Sequence, residues 1–430
     1  MFKMVSDMKF IYLVLDGAAD SLSDKITSYE AANTPHLDKL ASMGRCGMMY
    51  TIGKGIAPES DAAVFSILGY NPHKSYTGRG PIEALGAGLE IREGYEIAFR
   101  ANFATVEDKS MKLVDRRVGR SLLSEEAKEL AKSIDNLELD LYDGYARVVA
   151  TVGHRAVVVI GSRSYKLSDN VGNTDPAYEK VGKISVAKKK YEKIIAECKP
   201  LDGSVEAKRT AKLANIFTKK VVEFLDDHPV NKKRASEGKL KANAMLLRDA
   251  GGSLPKVEKI EDRFGLSFGA IAEMPVEIGI ARLLGMHVEK VPPPSEDKEK
   301  DYSIRLDTTF KVLEKRDAVY VHLKGPDEPG HDGDFQRKIK SIELIDKYYV
   351  KPLLERVDLE NTAILVTSDH ATPPSLKSHS GDPVPVILYI PGLAGDSVRR
   401  MSEKECLKGS LGIIEHGWLL LPKIINFLKR

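Results

Sequence analysis

Thiols are scarce in this sequence: Cys46, Cys198 and Cys406 are the only cysteines among 430 residues. Odd in number, widely spaced and without a Cys-x-x-Cys pair, they support neither a disulfide framework nor a thiolate zinc site. A reducing, cytoplasmic compartment fits them. Long apolar runs are also missing. The strongest early one, Phe10 to Leu15, is ended by Asp16 and is too short to span a bilayer or serve as a signal core. Neither sign of charge dominates, with 65 Lys plus Arg against 62 Asp plus Glu, so composition points to no nucleic-acid or membrane partner. The basic runs Lys188–Lys190 and Asn231–Arg234 read as solvated helix faces. No internal repeat is visible.

What is present is a soluble globular composition, 42% hydrophobic and 30% charged, in a chain too long for one ordinary core. Phe10-Ile-Tyr-Leu-Val-Leu15 has the apolar, β-forming character of a central parallel strand, and Asp16-Gly17 follows at once. Ala318-Val-Tyr-Val-His-Leu323 before Gly325-Pro-Asp327, and Ala363-Ile-Leu-Val-Thr367 before Ser368-Asp369-His370, repeat that pattern. Between these two, roughly Phe335 to Val357 reads as a crossover helix. The middle of the chain alternates short strand-like segments with polar helices such as Val205 to Leu225, which predicts an α+β lobe inserted into an α/β domain. The expected division is a discontinuous core of residues 1–88 and 270–430 around an insertion at 89–269. The C-terminal segment from Trp418 to Leu428 is expected to pack on the core.

The loops after the strands carry Asp16, Ser60, Asp327, His331, Asp369, His370 and His379. Each alone reads as a cap, a turn or a structural histidine. Together they make a mixed carboxylate and imidazole set of the kind that holds two divalent ions for in-line phosphoryl transfer. Serine is a weak nucleophile at neutral pH, and no Gly-x-Ser-x-Gly elbow surrounds Ser60. Metal coordination would supply the missing activation.

The order of these residues resembles the alkaline-phosphatase superfamily, and the stretches between them resemble archaeal-type 2,3-bisphosphoglycerate-independent phosphoglycerate mutases. The segments that carry the likeness include Val14-Leu-Asp-Gly17, Glu59-Ser-Asp61, Gly78-Arg-Gly80, Val114-Asp-Arg-Arg117, Gly325-Pro-Asp-Glu-Pro-Gly-His331, Thr367-Ser-Asp-His370 and His379-Ser-Gly-Asp-Pro383. The resemblance implies an alkaline-phosphatase-like three-layer core with a mostly parallel central sheet. It implies Ser60 as the phosphorylated nucleophile, one metal held by Asp16, Ser60, Asp369 and His370, and the other by Asp327, His331 and His379. Mn²⁺ is expected first, with Mg²⁺, Co²⁺ and Zn²⁺ as alternatives that the same donors accept, and no 2,3-bisphosphoglycerate is required. The substrate implied is a phosphoglycerate, exchanged between its 3- and 2-phospho isomers.

A mutase must hold glycerate while its hydroxyls change places, and guanidinium forks suit both carboxylate and phosphate. Arg116 and Arg120 in Asp-Arg-Arg-x-Gly-Arg, then Arg155 and Arg248, then Arg117 and Lys324 are the candidates. Two positions depart from the family's pattern: Asp249 follows Arg248 where glycine is usual, and Glu59 precedes Ser60 where a small residue is usual. A metal-dependent phosphomonoesterase or another phosphomutase on the same fold is the alternative reading, because the metal ligands alone do not separate them.

Overall fold

The computed structural model describes residues 8–428 apart from positions 108, 182, 183 and 189. Its strands are β1 (Lys9–Leu15), β2 (Arg45–Met49), β3 (Glu96–Val106), β4 (Leu113–Asp115), β5 (Leu137–Glu138), β6 (Gly144–Ala150), β7 (Arg155–Ser162), β8 (Tyr178–Val181), β9 (Ile184–Ala187), β10 (Ala244–Gly251), β11 (Phe268–Ile271), β12 (His287–Glu289), β13 (Ala318–Leu323), β14 (Thr362–Thr367), β15 (Val384–Tyr389) and β16 (Gly412–Ile414). The chain divides into two compact units, Met1–Tyr76 with Val257–Glu273 and Ile280–Arg430, and Thr77–Lys256 with Met274–Gly279.

The first unit is built on an eight-stranded sheet in the order β12-β11-β13-β1-β14-β15-β2-β16. Only β15 runs against the others, so the expected mostly parallel sheet is what the chain forms. β1 lies at its centre, buried from Phe10 to Leu15, and each fully buried aliphatic side chain there contributes roughly 1.5–3 kcal/mol. Register places Val14 beside His322 of β13 and beside Thr367 of β14. Because these neighbours are parallel, the loops that open with Asp16, Lys324 and Ser368 leave from one edge, where α/β sheets place their ligands.

The crossover from β13 to β14 is helical as expected, with the helix Phe335–Ile345, one π turn over Asp346–Val350 and the helix Lys351–Arg356. The π turn aims the Asp346 carboxylate at the backbone N–H groups of His36 and Leu37, 3.1 and 2.7 Å away, where it caps the helix Pro35–Met43. Near the C-terminus, Leu420, Leu421, Ile424 and Ile425 are buried.

The second unit is an antiparallel sheet, β10-β3-β7-β6-β5 with β4 on β3. The helix Val205–Leu225 follows the length the sequence predicts, and it buries Leu213, Phe217 and Val221 in a core shared with Phe99, Phe103 and Ile160. The unit begins at residue 77 rather than 89 and its main segment ends at 256 rather than 269. The helix Arg79–Gly86 sets Ala84 against Ala98, Val157 and Val159 of this sheet, whereas β11 pairs with β13 in the other. One expectation needs correcting. Asn231 and Arg234 are buried: Arg234 pairs with Glu126 at 2.6 Å and Asn231 donates to the carbonyls of Leu225 and Ala242, so only Lys232 and Lys233 of that run are solvated. Of the other run, Lys188 and Lys190 are exposed outside any helix, and Lys189 lies outside the described residues.

Candidate active site

All seven residues singled out as metal donors or nucleophile lie in the first unit. Asp16 follows β1, and Asp327 and His331 sit on the short helix Asp327–Asp332 after β13. Asp369 and His370 follow β14, and His379 lies on the loop before β15. Ser60 opens the helix Ser60–Ile67, half-buried, with Glu59 exposed at its N-cap.

Hydrogen bonds fix how the imidazoles present themselves. His379 Nδ1–H donates to the Pro58 carbonyl at 2.7 Å and His331 Nδ1–H to the Lys377 carbonyl at 3.3 Å. Both therefore turn a bare Nε2 inward. The two Nε2 atoms lie 3.2 Å apart, each 3.5 Å from Asp327 Oδ1. The Thr372 hydroxyl donates to Asp327 Oδ1 at 2.8 Å, so it accepts from His370 Nδ1–H at 2.9 Å. His370 Nε2 is then left facing Asp369 Oδ2 at 3.2 Å, Asp16 Oδ1 at 3.6 Å and Ser60 Oγ at 3.4 Å. The rings of His370 and His379 stack with centroids 3.8 Å apart.

The carboxylates are as pointed. Asp369 is fully buried, and its Oδ1 accepts the backbone N–H groups of Gly17 and His370 at 3.0 and 3.1 Å. Among the described residues, its Oδ2 and Asp16 Oδ1 are buried without a hydrogen-bond partner. Leaving such atoms unpaired is costly in a protein interior. Lone pairs from imidazoles and carboxylates that converge with few donors among them fit a divalent cation, and the carbonyl-anchored Nδ1 atoms are the outer support that metal-bound histidines receive. The field agrees. Burial disfavours the charged form of His370, but Asp369, Asp327 and Asp16 outweigh it and push its pKa up to about 9. Burial and Asp16 would raise Asp327, yet His379 and His370 bring it to about 2. Asp16, despite burial, is held well below the usual carboxylate range by Lys324, His322 and His370.

Among the described residues, two groups bring their donor atoms within 4.8 Å of one another: Asp327 with His370 and His379, and Asp16 with His322 and Asp369. His370 faces both. His322 was not among the sequence candidates; inside the apolar run Ala318–Leu323 it reads as a core residue, and only the pairing of β13 with β1 brings it to Asp16. Lys324 binds Asp16 Oδ2 at 3.1 Å.

The arginines lie in the second unit. Arg116, Arg117 and Arg120 line a cavity of about 540 Å³ together with Tyr191 and Lys193. Arg116 grips the buried Asp175 with two bonds of 2.9 and 2.6 Å. Arg248 lies 4.2 Å over the Tyr178 ring, which Arg116 also approaches at 5.3 Å. Arg155 is exposed at the start of β7. Sequence reasoning missed Arg79 and Arg100, which share the buried Glu83 at 2.6 and 3.4 Å. Arg79 lies within Gly78-Arg-Gly80, one of the segments that carry the family likeness, but Arg100 is hidden in an apolar strand. Asp249 has φ +58°, a left-handed backbone that favours glycine and that aspartate tolerates.

Comparison with known proteins gives these residues their context. The family model for 2,3-bisphosphoglycerate-independent phosphoglycerate mutase matches residues 41–231. The enzyme of that name from Aeropyrum pernix is 49% identical over 425 residues, 98% of this chain and 100% of that one. One from Archaeoglobus fulgidus is 41% identical over 94% of each chain. Among solved structures, a cofactor-independent phosphoglycerate mutase from Thermoplasma acidophilum superposes with a TM-score of 0.63 at 31% identity, over 98% of this chain and 100% of that one. With such identity sustained across almost the whole of both chains, the protein belongs to the 2,3-bisphosphoglycerate-independent phosphoglycerate mutases.

Proposed function

We propose that the protein interconverts 3-phosphoglycerate and 2-phosphoglycerate without 2,3-bisphosphoglycerate, through a phosphoserine on Ser60. The observation that carries this reading is the meeting of Ser60 Oγ, inward-facing Nε2 atoms and partnerless carboxylate oxygens at one sheet edge, in a chain whose relatives bear the mutase name. Asp16, Ser60, Asp369 and His370 are assigned to one divalent ion, and Asp327, His331 and His379 to the other, with Mn²⁺ first and Mg²⁺, Co²⁺ or Zn²⁺ as alternatives. When bound, such ions lower the pKa of the serine hydroxyl and neutralise charge on the transferring phosphoryl group.

Ser60 Oγ attacks phosphorus. The bond from phosphorus to the 3-oxygen breaks, and the proton lost by serine ends on that oxygen. Glycerate then turns without leaving, its 2-oxygen attacks the phosphoserine, and the 2-hydroxyl proton returns to Ser60. Arg116, Arg120, Arg155, Arg248 and Arg117 are assigned to the carboxylate and phosphate of the substrate, and Lys324 to the core side of the site. Water must be kept from the phosphoserine, because its hydrolysis would make the protein a phosphatase. The balanced charge and scattered thiols of the sequence support a cytoplasmic enzyme with a small-molecule substrate and neither nucleic-acid nor membrane partners.

The test is a coupled assay of 3-phosphoglycerate conversion after chelation and Mn²⁺ add-back, with inorganic phosphate followed in parallel. Metal-dependent conversion with little phosphate release, lost in Ser60→Ala, is the expected outcome. Phosphate release without the 2-phospho isomer would give the site to a phosphomonoesterase.

A further inference from the structure

His322 occupies a place that the metal assignment above does not use. It sits on β13 with its side chain fully buried, and its Nε2 lies 3.6 Å from Asp16 Oδ1 and 3.8 Å from Asp369 Oδ2. Those two oxygens are the ones buried without a hydrogen-bond partner. His370 Nε2 approaches the same pair at 3.6 and 3.2 Å. Donors that share one ion about 2.0–2.1 Å away in tetrahedral array stand roughly 3.3 Å from one another, close to the separations seen here.

The protonation pattern agrees. Lys324 Nζ lies 3.4 Å from His322 Nε2, and an ammonium has only hydrogens to offer. Nε2 therefore carries the lone pair, which an ion takes in place of the ammonium, and the ring proton sits on Nδ1, which donates to the Tyr320 hydroxyl at 2.8 Å. That is the tautomer of a metal ligand held from behind. Lys324 engages Asp16 through Oδ2, leaving Oδ1 to face the two imidazoles.

We infer that His322 is a further protein ligand of the ion held by Asp16, Asp369 and His370, with Tyr320 as the positioning residue that sets its tautomer. The inference rests on the two-ion reading above and deepens it. A second imidazole biases this site away from Mg²⁺, which prefers oxygen, and toward Mn²⁺, Co²⁺ or Zn²⁺.

The experiment uses the full chain, stripped with chelator and titrated with Mn²⁺ or Co²⁺ against a competing chelator. Bound metal is counted per chain, and nitrogen coupling to Mn²⁺ is read by pulsed electron paramagnetic resonance. Wild type should bind two ions. His322→Asn should lose one nitrogen coupling and weaken one of the two ions by at least the roughly 10–100-fold that loss of an outer support alone costs. Tyr320→Phe, which keeps the strand apolar, should keep the coupling and weaken the same ion by a smaller factor. Two ions held at wild-type affinity with unchanged coupling in His322→Asn would overturn the inference and leave the mutase reading standing. Should His322→Asn not fold, wild-type affinity in Tyr320→Phe would overturn it equally. A wild type that binds no divalent ion would instead overturn the two-ion reading itself.

Discussion

Lys338 offers the sharpest test of how the site's loops are held. Its ammonium is fully buried and bonds the carbonyls of Ala19 and Thr372 at 2.9 Å each and Asp20 Oδ1 at 2.6 Å. Three donors thus meet three acceptors. Ala19 and Asp20 lie on the loop after Asp16, and Thr372 lies just past His370, so one side chain fastens the two loops that carry the buried acids. Lys338→Met would leave the Asp20 carboxylate, itself 1% exposed, with the Ser28 N–H at 2.5 Å as its remaining hydrogen-bond donor. Removing one partner of a buried ion pair costs about 3–5 kcal/mol, and the two lost hydrogen bonds to carbonyls add about 1 kcal/mol each. At roughly 2–4 °C per kcal/mol for a unit of this size, the first unit should melt about 10–25 °C lower. Scanning calorimetry of the metal-free protein reads this directly. The double variant Asp20→Asn with Lys338→Met removes both charges and should regain most of the loss, giving a coupling energy of about 2 kcal/mol or more. A single variant that loses less than about 1 kcal/mol, or a double variant whose loss is the sum of the two singles, would refute the argument.

Two other perturbations are as specific. Glu403 is fully buried, which pushes its pKa up to about 7 even though the Thr27 hydroxyl and the Asp20 N–H bond it. An acid whose folded pKa exceeds its unfolded value of about 4.3 destabilises the fold progressively as pH rises between the two, here by about 4 kcal/mol in full, of which about 1 kcal/mol is already lost at pH 5. Guanidinium unfolding at pH 5 and pH 8 should show wild type losing about 2–3 kcal/mol more than Glu403→Gln, and parallel losses would contradict it. In the second unit, a Cβ at Gly80 would come within 2.4 Å of the carbonyl oxygens of Ala98 and Asp249. Gly80→Ala should therefore cost about 1–3 kcal/mol, whereas Gly203→Ala, with nothing within 4 Å, should be near neutral. Equal melting of the two variants would show that the helix Arg79–Gly86 does not pack as closely as described.

Which parts of this molecule are readable in the chain follows from how each residue earns its burial. A parallel strand covered on both faces must be apolar throughout, so Phe10 to Leu15 announces β1 and the acid after it announces the loop edge. Six of the seven candidate donors end or follow such a segment, whereas Ser60 opens a helix. His322 does not announce itself, since an imidazole within an apolar strand looks the same whether it packs or binds. Lys338 and Arg234 are concealed for the opposite reason: among the charged residues of a surface helix, nothing local distinguishes a cation that is itself buried against a carboxylate from its solvated neighbours. The boundary at residue 77 is equally silent. The segment Arg79–Gly86 shows no change in composition, and its membership in the second unit is decided by the contacts of Ala84. Chain order also cannot say which donors share an ion, because His370 stands between two groups that only folding assembles.

The two histidines with displaced protonation act as probes of what each unit is built to hold. His370 is pushed up to about 9, against its own burial, by three carboxylates. His154 is pulled down to about 4 by burial and by Arg155, Arg117, Arg120 and Arg100. One residue type with an ordinary value near 6.5 thus reports a strongly negative interior in the first unit and a positive one in the second. Burial likewise lowers Arg100 to about 10, with Arg79 and Arg248 adding to it and Glu83 opposing. Crowding like charges costs folding energy, and a chain selected for stability alone would pair or disperse them. Within the first unit the unpaired oxygens of Asp16 and Asp369 mark where a cation recovers that cost. Within the second, Glu83 and Asp175 each neutralise part of the guanidinium cluster, and the remaining positive charge suits an anion. The two units thus carry opposite fields, a negative one in the first that suits cations and a positive one in the second that suits anions.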